Sequence, residues 1–257
     1  MNQMNLRGES ALMEKRGEWS RKRKISLGIG AALAAIFLWV AATYGIPGNL
    51  NVWSMPLSGK VIVLDPGHGG YDGGAVSREG LQEKEVTLKI SLLLRDYLQE
   101  SGALVFMTRE VDKDLAGASQ RRRKATDLME RARIVKTSGA DVFISIHLNA
   151  IPSPRWSGAQ TFYYPTMEAN KKLAESIQSE LIRNLDNTDR KARYSGEVYI
   201  LKTSPVPAAL VEVGFLSNPA EARMLGEGAY QKKVASAIYN GLLRYYSVED
   251  SQKMGDK

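Results

Sequence analysis

Two kinds of hydrophobic pattern alternate along most of the chain. Short apolar runs, which are typical of buried strands, occupy residues 61–64, 103–108, 142–146, 159–164, 198–201 and 208–213. Longer segments with apolar residues three or four positions apart predict amphipathic helices at 83–100, 119–138, 168–185 and 230–246. Polar stretches at 112–119 and 186–196 are predicted loops. The alternation predicts an α/β fold with a largely parallel central sheet and helices on both faces.

Two helices carry further signals. The helix at 119–138 is predicted to face the core with Ala125, Leu128, Met129, Ala132 and Val135. Its basic run at 121–124 is interpreted as a solvated face. Another helix is expected to start at Asn218, because asparagine caps helices and proline, here Pro219, suits the first turn.

The amino-terminal part follows a different pattern. Residues 1–24 are polar and end in Arg-Lys-Arg-Lys, whereas residues 25–44 contain no charge and are long enough to cross a bilayer as a helix. The basic flank predicts a cytoplasmic amino terminus and an exported remainder. A cleaved signal peptide is the alternative, but its apolar core is usually only about 7–15 residues long. We therefore expect one amino-terminal transmembrane anchor in front of the α/β domain.

These patterns divide the chain into segments. Residues 1–24 are a basic cytoplasmic tail, 25–44 the transmembrane anchor or signal segment, and 45–59 a linker that contains two prolines and three glycines. Residues 60–247 form the predicted catalytic domain. Residues 248–257 are a polar tail that we expect to fray.

Composition narrows the chemistry. The chain has no cysteine, which excludes disulfides and a cysteine nucleophile and leaves nitrogen and oxygen as the ligands for any zinc. Of the formal net charge of +7, residues 1–24 carry +4 and the remainder carries +3. Because a mildly basic domain does not require a polyanion, we expect no nucleic-acid partner.

The chain is organised around the glycine-rich stretch VIVLDPGHGGYDGG at residues 61–74. It places His68 just after a predicted strand, and His147, the other histidine of the chain, directly follows another strand. Active sites of α/β sheets are built at the carboxyl ends of strands. The matched placement favours a pair of metal ligands over two hydrogen-bonded loop histidines.

A catalytic zinc typically has three protein ligands and one open position. Glu83 is the best third ligand, because it begins the helix after the glycine-rich loop. On spacing alone, Glu79 and Glu85 remain alternatives.

Glu212 is a charged residue at the end of an otherwise apolar strand. A carboxylate there is costly unless it has a partner. An ion pair with Arg193 or Lys202 would explain it structurally, whereas a general base beside the metal would explain it functionally. Placement at a third strand end favours the functional interpretation.

Together, these residues predict metal-assisted hydrolysis of an amide bond. Zinc lowers the pKa of a bound water, and Glu212 would take the water proton and pass it to the leaving amine. The sequence lacks HExxH, Walker A and GxSxG motifs, so that class of metalloprotease, nucleotide hydrolysis and serine hydrolysis are not indicated.

Five segments carry a resemblance to a known family. They are LDPGHGGYDGGA, GLQEKEVTL, TRE at 108–110, SIHLNA and PAALVEVGFLSNP, and they occur in the family's order across residues 60–246. The chain resembles the zinc-dependent N-acetylmuramoyl-L-alanine amidases that cut bacterial peptidoglycan. The resemblance implies that His68, Glu83 and His147 bind Zn²⁺, selects Glu83 over Glu85, and makes Glu212 catalytic.

The subtype that the chain resembles most is the sporulation amidase, which contributes to muramic δ-lactam formation in spore cortex before germination. This implies a peptidoglycan substrate, membrane attachment through the amino-terminal helix, and an extracytoplasmic catalytic domain. The short path from His147 to Leu185 leaves little room for a self-blocking helix, so control by an activating protein partner or by the form of the substrate is expected instead. A wall-turnover amidase, an exported zinc peptidase acting within stem peptides, and a catalytically idle peptidoglycan-binding module are the alternatives.

Overall fold

A computed structural model describes residues 27, 30–37, 39, 55–117 and 122–255. The chain divides into two compact units, Met1–Trp53 and Ser54–Lys257. The described residues of the first unit are helical. Among the residues described, no helix combines the length and apolar character that crossing a membrane requires. Much of the predicted anchor at 25–44 lies outside the described residues, so the anchor stays a prediction.

The second unit is built on one six-stranded sheet. Its strands are β1 (Val61–Pro66), β2 (Leu104–Met107), β3 (Val142–Asn149), β4 (Gln160–Tyr163), β5 (Arg193–Tyr194) and β6 (Ala208–Phe215). Its helices are α1 (Glu83–Glu100), α2 (Arg123–Thr137), α3 (Glu168–Leu185), α4 (Tyr199–Lys202), α5 (Pro219–Gly226) and α6 (Gly228–Gly255). The strand order is β2-β1-β3-β6-β4-β5. The predicted α/β fold is confirmed, and the sheet is mixed because β4 runs antiparallel to β6.

Helices cover both faces of this sheet because side chains alternate along each strand. Ile62 and Leu64 of β1 belong to the larger buried cluster, which contains residues of α1, α3 and α6. Val63 between them belongs to a smaller cluster, which contains residues of α2 and α4. The sheet therefore separates two apolar layers.

The sequence prediction was wrong for residues 186–201. The predicted strand 198–201 is the helix α4, with helical hydrogen bonds from Lys202 N to Val198 O and from Thr203 N to Tyr199 O. The strand of this region is β5, inside the predicted loop, where it pairs with β4. A short apolar run does not distinguish a strand from a buried helical turn, and here consecutive residues, Ile200 and Leu201, are both buried.

Two helix ends also differ from the prediction. Helix α6 continues to Gly255, so the predicted polar tail from Val248 is helical through that residue. Helix α2 begins at Arg123, and the earlier start predicted at 119 lies outside the described residues.

Candidate metal centre and active site

Three neighbouring strands bring the predicted site residues together. β1, β3 and β6 are adjacent and parallel, and Pro66 of β1 pairs with Ile146 of β3. One position later on β3, His147 pairs with Glu212 of β6. His68 follows the end of β1. These residues therefore share the carboxyl edge of the sheet, which is where the sequence predicted the site.

Glu83 joins the two histidines into one cluster. Its Oε1 lies 3.1 Å from His68 Nε2 and 3.1 Å from His147 Nδ1. The three candidate ligand atoms lie within 4.8 Å of one another. Two imidazole nitrogens and a carboxylate oxygen are a donor set that suits a divalent ion such as zinc. Among the described residues, the cluster includes neither Glu79 nor Glu85.

The carboxylate of Glu83 is fixed on both oxygens. Oε1 accepts a hydrogen bond of 2.9 Å from Leu148 N, and Oε2 accepts one of 2.9 Å from Ala75 N. Burial alone would raise the pKa of Glu83, but the hydrogen bonds with His147 and His68 outweigh it and hold that pKa well below its usual range. The side chain is thus an ionised, oriented ligand candidate.

Close packing around the cluster depends on two glycines. A Cβ at Gly67 would lie 2.4 Å from the His147 ring. A Cβ at Gly74 would lie 2.5 Å from Glu83 Oε2, and Gly74 also has a positive φ of 67°. The glycine-rich loop can approach the ligands closely because these positions lack side chains.

His68 has an unusual backbone conformation for a residue with a side chain. Its φ is 61°, in the left-handed region. Its carbonyl oxygen accepts a hydrogen bond of 2.6 Å from Arg131 Nη2. On the ring, Nδ1 lies 3.0 Å from Asp72 Oδ2, although the approach is not aligned as a hydrogen bond. This carboxylate electrostatically favours a proton on Nδ1, which leaves Nε2 as the donor towards a metal.

A buried ion pair supports this loop from below. Arg131 Nη1 donates to Asp65 Oδ1 at 2.6 Å and to Pro66 O at 2.8 Å, and both side chains are only 2% exposed. Asp65 also accepts hydrogen bonds from Thr108 and Ser145. Burial would raise the pKa of Asp65, but Arg131 and the Thr108 hydrogen bond outweigh it and lower that pKa. The pair is therefore charged and fully hydrogen-bonded.

A second buried arginine fastens the loop to helix α1. Arg109 donates from Nε to Pro66 O at 3.0 Å and from Nη2 to both Gly67 O and Lys84 O at 2.9 Å. The sequence analysis assigned no role to Asp65, Arg109 or Arg131. Arg131 lies four residues after Asp127 and four before Val135, so these residues share one face of α2. This spacing is the signal in the sequence that could have indicated a buried Arg131.

Glu212 lies beside the cluster, paired with His147 on the neighbouring strand. Its Oε2 is buried and accepts no hydrogen bond in the described part of the chain. Burial raises the pKa of Glu212 to about 7. Within residues 55–117 and 122–255, neither Arg193 nor Lys202 forms the ion pair that would have explained it structurally. A cation held by the neighbouring cluster would stabilise its charged form.

Substrate can reach the cluster from the face of the sheet that carries α2 and α4. A cavity of about 370 Å³ opens there, and both histidines line it. Lys124, Tyr199 and Leu210 also line this cavity. A volume of this size is typical of small-molecule sites.

Comparisons with known proteins give one consistent result. A family model described as N-acetylmuramoyl-L-alanine amidase matches residues 62–244. The chain is 58% identical, over 198 residues, to the germination-specific N-acetylmuramoyl-L-alanine amidase of Bacillus subtilis (strain 168). This similarity covers 76% of the chain and 83% of that relative.

Two solved structures share the fold. The CwlD amidase from Clostridioides difficile, in complex with the GerS lipoprotein, gives a TM-score of 0.72 at 40% identity. The match covers 74% of this chain and 99% of that one. An N-acetylmuramoyl-L-alanine amidase from Clostridium difficile 630 gives a TM-score of 0.66 at 31% identity, covering 72% and 96%.

Arg131→Met should strongly destabilise the domain, because it leaves Asp65 charged and buried without its partner. We expect a loss of about 3–5 kcal/mol in the free energy of unfolding, measured by urea denaturation. Arg133→Met on the same helix is the matched control, since Arg133 is exposed and, among the described residues, its side chain pairs only with Glu130. It should change stability by less than about 0.5 kcal/mol. Equal losses in the two variants would contradict a supporting role for the buried pair.

Proposed function

The chain belongs to the N-acetylmuramoyl-L-alanine amidase family, and we propose that it hydrolyses an amide bond of its substrate with a zinc ion held by His68, Glu83 and His147. The bond joins N-acetylmuramic acid to the L-alanine that begins the stem peptide of peptidoglycan. The observation that carries the proposal is the position of Glu83 Oε1, 3.1 Å from a nitrogen of each histidine. Nitrogen and oxygen ligands in this number fit a catalytic zinc with an open position.

We propose Glu212 as the catalytic acid and base. When bound, zinc supplies Lewis acidity that lowers the pKa of water and polarises a carbonyl oxygen. Glu212 then takes the proton of the attacking water and returns it to the nitrogen of L-alanine as the amide bond breaks. Its buried Oε2 is free to accept that proton, because the described residues give it no other partner. Glu83, fixed by Leu148 N and Ala75 N, stays a ligand.

The proposed substrate is spore-cortex peptidoglycan. The support is the 58% identity to a relative named as germination-specific, over most of the length of both chains. Cleavage of the amide frees the lactyl carboxyl group, which can form muramic δ-lactam with the 2-amino group of the same sugar, with loss of water, once the acetyl group on that nitrogen has been hydrolysed off.

The proposed place of action is outside the cytoplasm, as expected for an enzyme of the cell wall. Residues 25–44 would serve as an uncleaved anchor; a mature chain that begins beyond residue 44 would contradict this. A protein partner would control activity, supported by the similarity to an amidase solved in complex with a lipoprotein. An activity on purified peptidoglycan that stays the same when a lipoprotein partner is added would contradict the partner.

Glu212→Gln should abolish catalysis but keep the metal. We expect kcat to fall by roughly a thousandfold, since the amide side chain cannot take a proton. The metal content, measured by mass spectrometry of the purified protein, should stay at the wild-type level. Glu85→Gln, which removes an exposed carboxylate outside the cluster, is the control. Substantial activity in the Glu212 variant would exclude it as the general base.

His147→Ala should weaken metal binding, because it removes one of three ligands. In a chelator competition, we expect the affinity for zinc to fall by more than the ~10–100-fold that is lost when an outer partner of a ligand is removed. Glu79→Gln, at an exposed position outside the cluster, should bind zinc like the wild type. Unchanged affinity in the His147 variant would place the metal elsewhere.

Cortex should be cleaved faster than vegetative peptidoglycan. The comparison uses the full chain with zinc, equal masses of the two polymers, and counting of the amino groups released. Equal initial rates would favour the wall-turnover alternative over a role in germination.

A further inference from the structure

A second depression lies at the carboxyl edge of the sheet, on the side of β6 where β4 is the neighbouring strand. It is an open depression of about 760 Å³, and Arg190 in its lining contacts Gln160, the first residue of β4. Trp156 and Arg190 line it together with Asp186, Thr188 and Asp189. The mechanism above uses none of these residues.

Trp156 offers a flat aromatic surface that is already held in place. Half of the residue, 50%, is exposed. The Arg190 guanidinium lies 5.5 Å from the ring centroid, and Arg190 Nε donates to Ser157 O at 3.1 Å. The Trp156 carbonyl accepts a hydrogen bond of 3.3 Å from Asn218 Nδ2, just after β6. A ligand that stacks on this ring would order little further structure, which favours binding.

A short series of contacts connects this surface to the catalytic glutamate. Gln160, the first residue of β4, pairs directly with Glu212 in the antiparallel register. Directly paired residues on neighbouring strands face the same side of a sheet. Gln160 Oε1 in turn accepts a hydrogen bond of 3.5 Å from Arg190 Nη1. A polymer whose cut bond lies at Glu212 can therefore extend past Gln160 onto Trp156.

We propose that the Trp156–Arg190 depression binds a sugar ring of the glycan strand, next to the muramic acid whose amide bond is cut. This inference rests on the proposed function and adds a saccharide subsite to it. A pyranose ring has an apolar face of C–H groups that stacks on an aromatic ring, and a rim of hydroxyl and acetamido groups. Asp186 and Asp189 can accept hydrogen bonds from that rim, and Arg190 can donate to it.

The lining favours a saccharide over a protein partner. Among the described residues that line the depression, only Trp156 and Ile182 are large and apolar. Protein interfaces bury a larger apolar centre from which charged residues are depleted. Here, a single aromatic ring is surrounded by charged and hydroxyl side chains, which is the composition that a polar ring with one apolar face requires.

The test uses the full chain with zinc and two probes. One is a set of glycan strands that carry stem peptides, and the other is a single N-acetylmuramoyl-pentapeptide without a neighbouring sugar. We expect Trp156→Ala to raise the KM for strands about tenfold relative to the KM for the single unit. Phe106→Ala is the control. Phe106 is also exposed but lies on β2, the outermost strand on the side of the sheet away from β4. This variant should leave that ratio unchanged.

Binding gives a second readout that does not depend on hydrolysis. Calorimetry with glycan strands stripped of stem peptides should show a Kd about tenfold weaker for Trp156→Ala, and Trp156→Phe should recover most of the affinity. Equal Kd values for wild type and Trp156→Ala would overturn the subsite, as would an equal rise of KM for both substrates. A defect seen only in the presence of a partner protein would assign the depression to protein docking instead. If the wild type binds stripped strands through Trp156 but cleaves neither substrate, the subsite stands and the proposed function fails.

Discussion

The buried ion pair between Asp65 and Arg131 is the interaction on which the rest of the site depends. It lies beneath the loop that follows β1. The Arg131 guanidinium also donates a hydrogen bond to the carbonyl oxygen of His68, whose backbone is in the left-handed conformation. Removing one partner of such a pair leaves an uncompensated charge in an apolar layer, which costs several kcal/mol. Arg131 fixes the carbonyl oxygen of His68, and Arg109 fixes those of Gly67 and Lys84, so the geometry of the candidate ligands depends on buried charges outside the cluster itself.

Two glutamates then divide the chemistry between them. Glu83 accepts hydrogen bonds on both carboxylate oxygens and lies between two histidines, so it remains ionised. Glu212 is half-buried, its Oε2 accepts no hydrogen bond from the described residues, and its pKa is raised to about 7. Environments that push the pKa values of two neighbouring acids apart are typical of sites where one residue acts as a ligand and the other moves protons. The proposed amidase mechanism uses both properties.

The sequence predicted the residues that converge on the carboxyl edge of the sheet, but not the buried charged residues that hold them in position. His68, His147 and Glu212 each follow an apolar run, and strand ends of a parallel sheet meet at one edge, so their proximity was predictable. Arg131 was not, because the apolar period of α2 wrongly indicated that Ala125 and Met129 face inward. Both are exposed, whereas Asp127 and Arg131 are buried. Buried charged residues do not fit a pattern in which the inward positions are apolar. Their partners lie far away along the chain, so a single sequence does not show which residues pair.

The family assignment and the site geometry both concern the hydrolysis of one amide bond, between N-acetylmuramic acid and L-alanine. Mass spectrometry of the products released from purified peptidoglycan by the zinc-loaded chain tests it most directly. The account predicts intact stem peptides with a free amino group on L-alanine, together with muramic acid that carries a free lactyl carboxyl group. Products cut only between amino acids of the stem would contradict it, since they would require the same residues to act on a different amide.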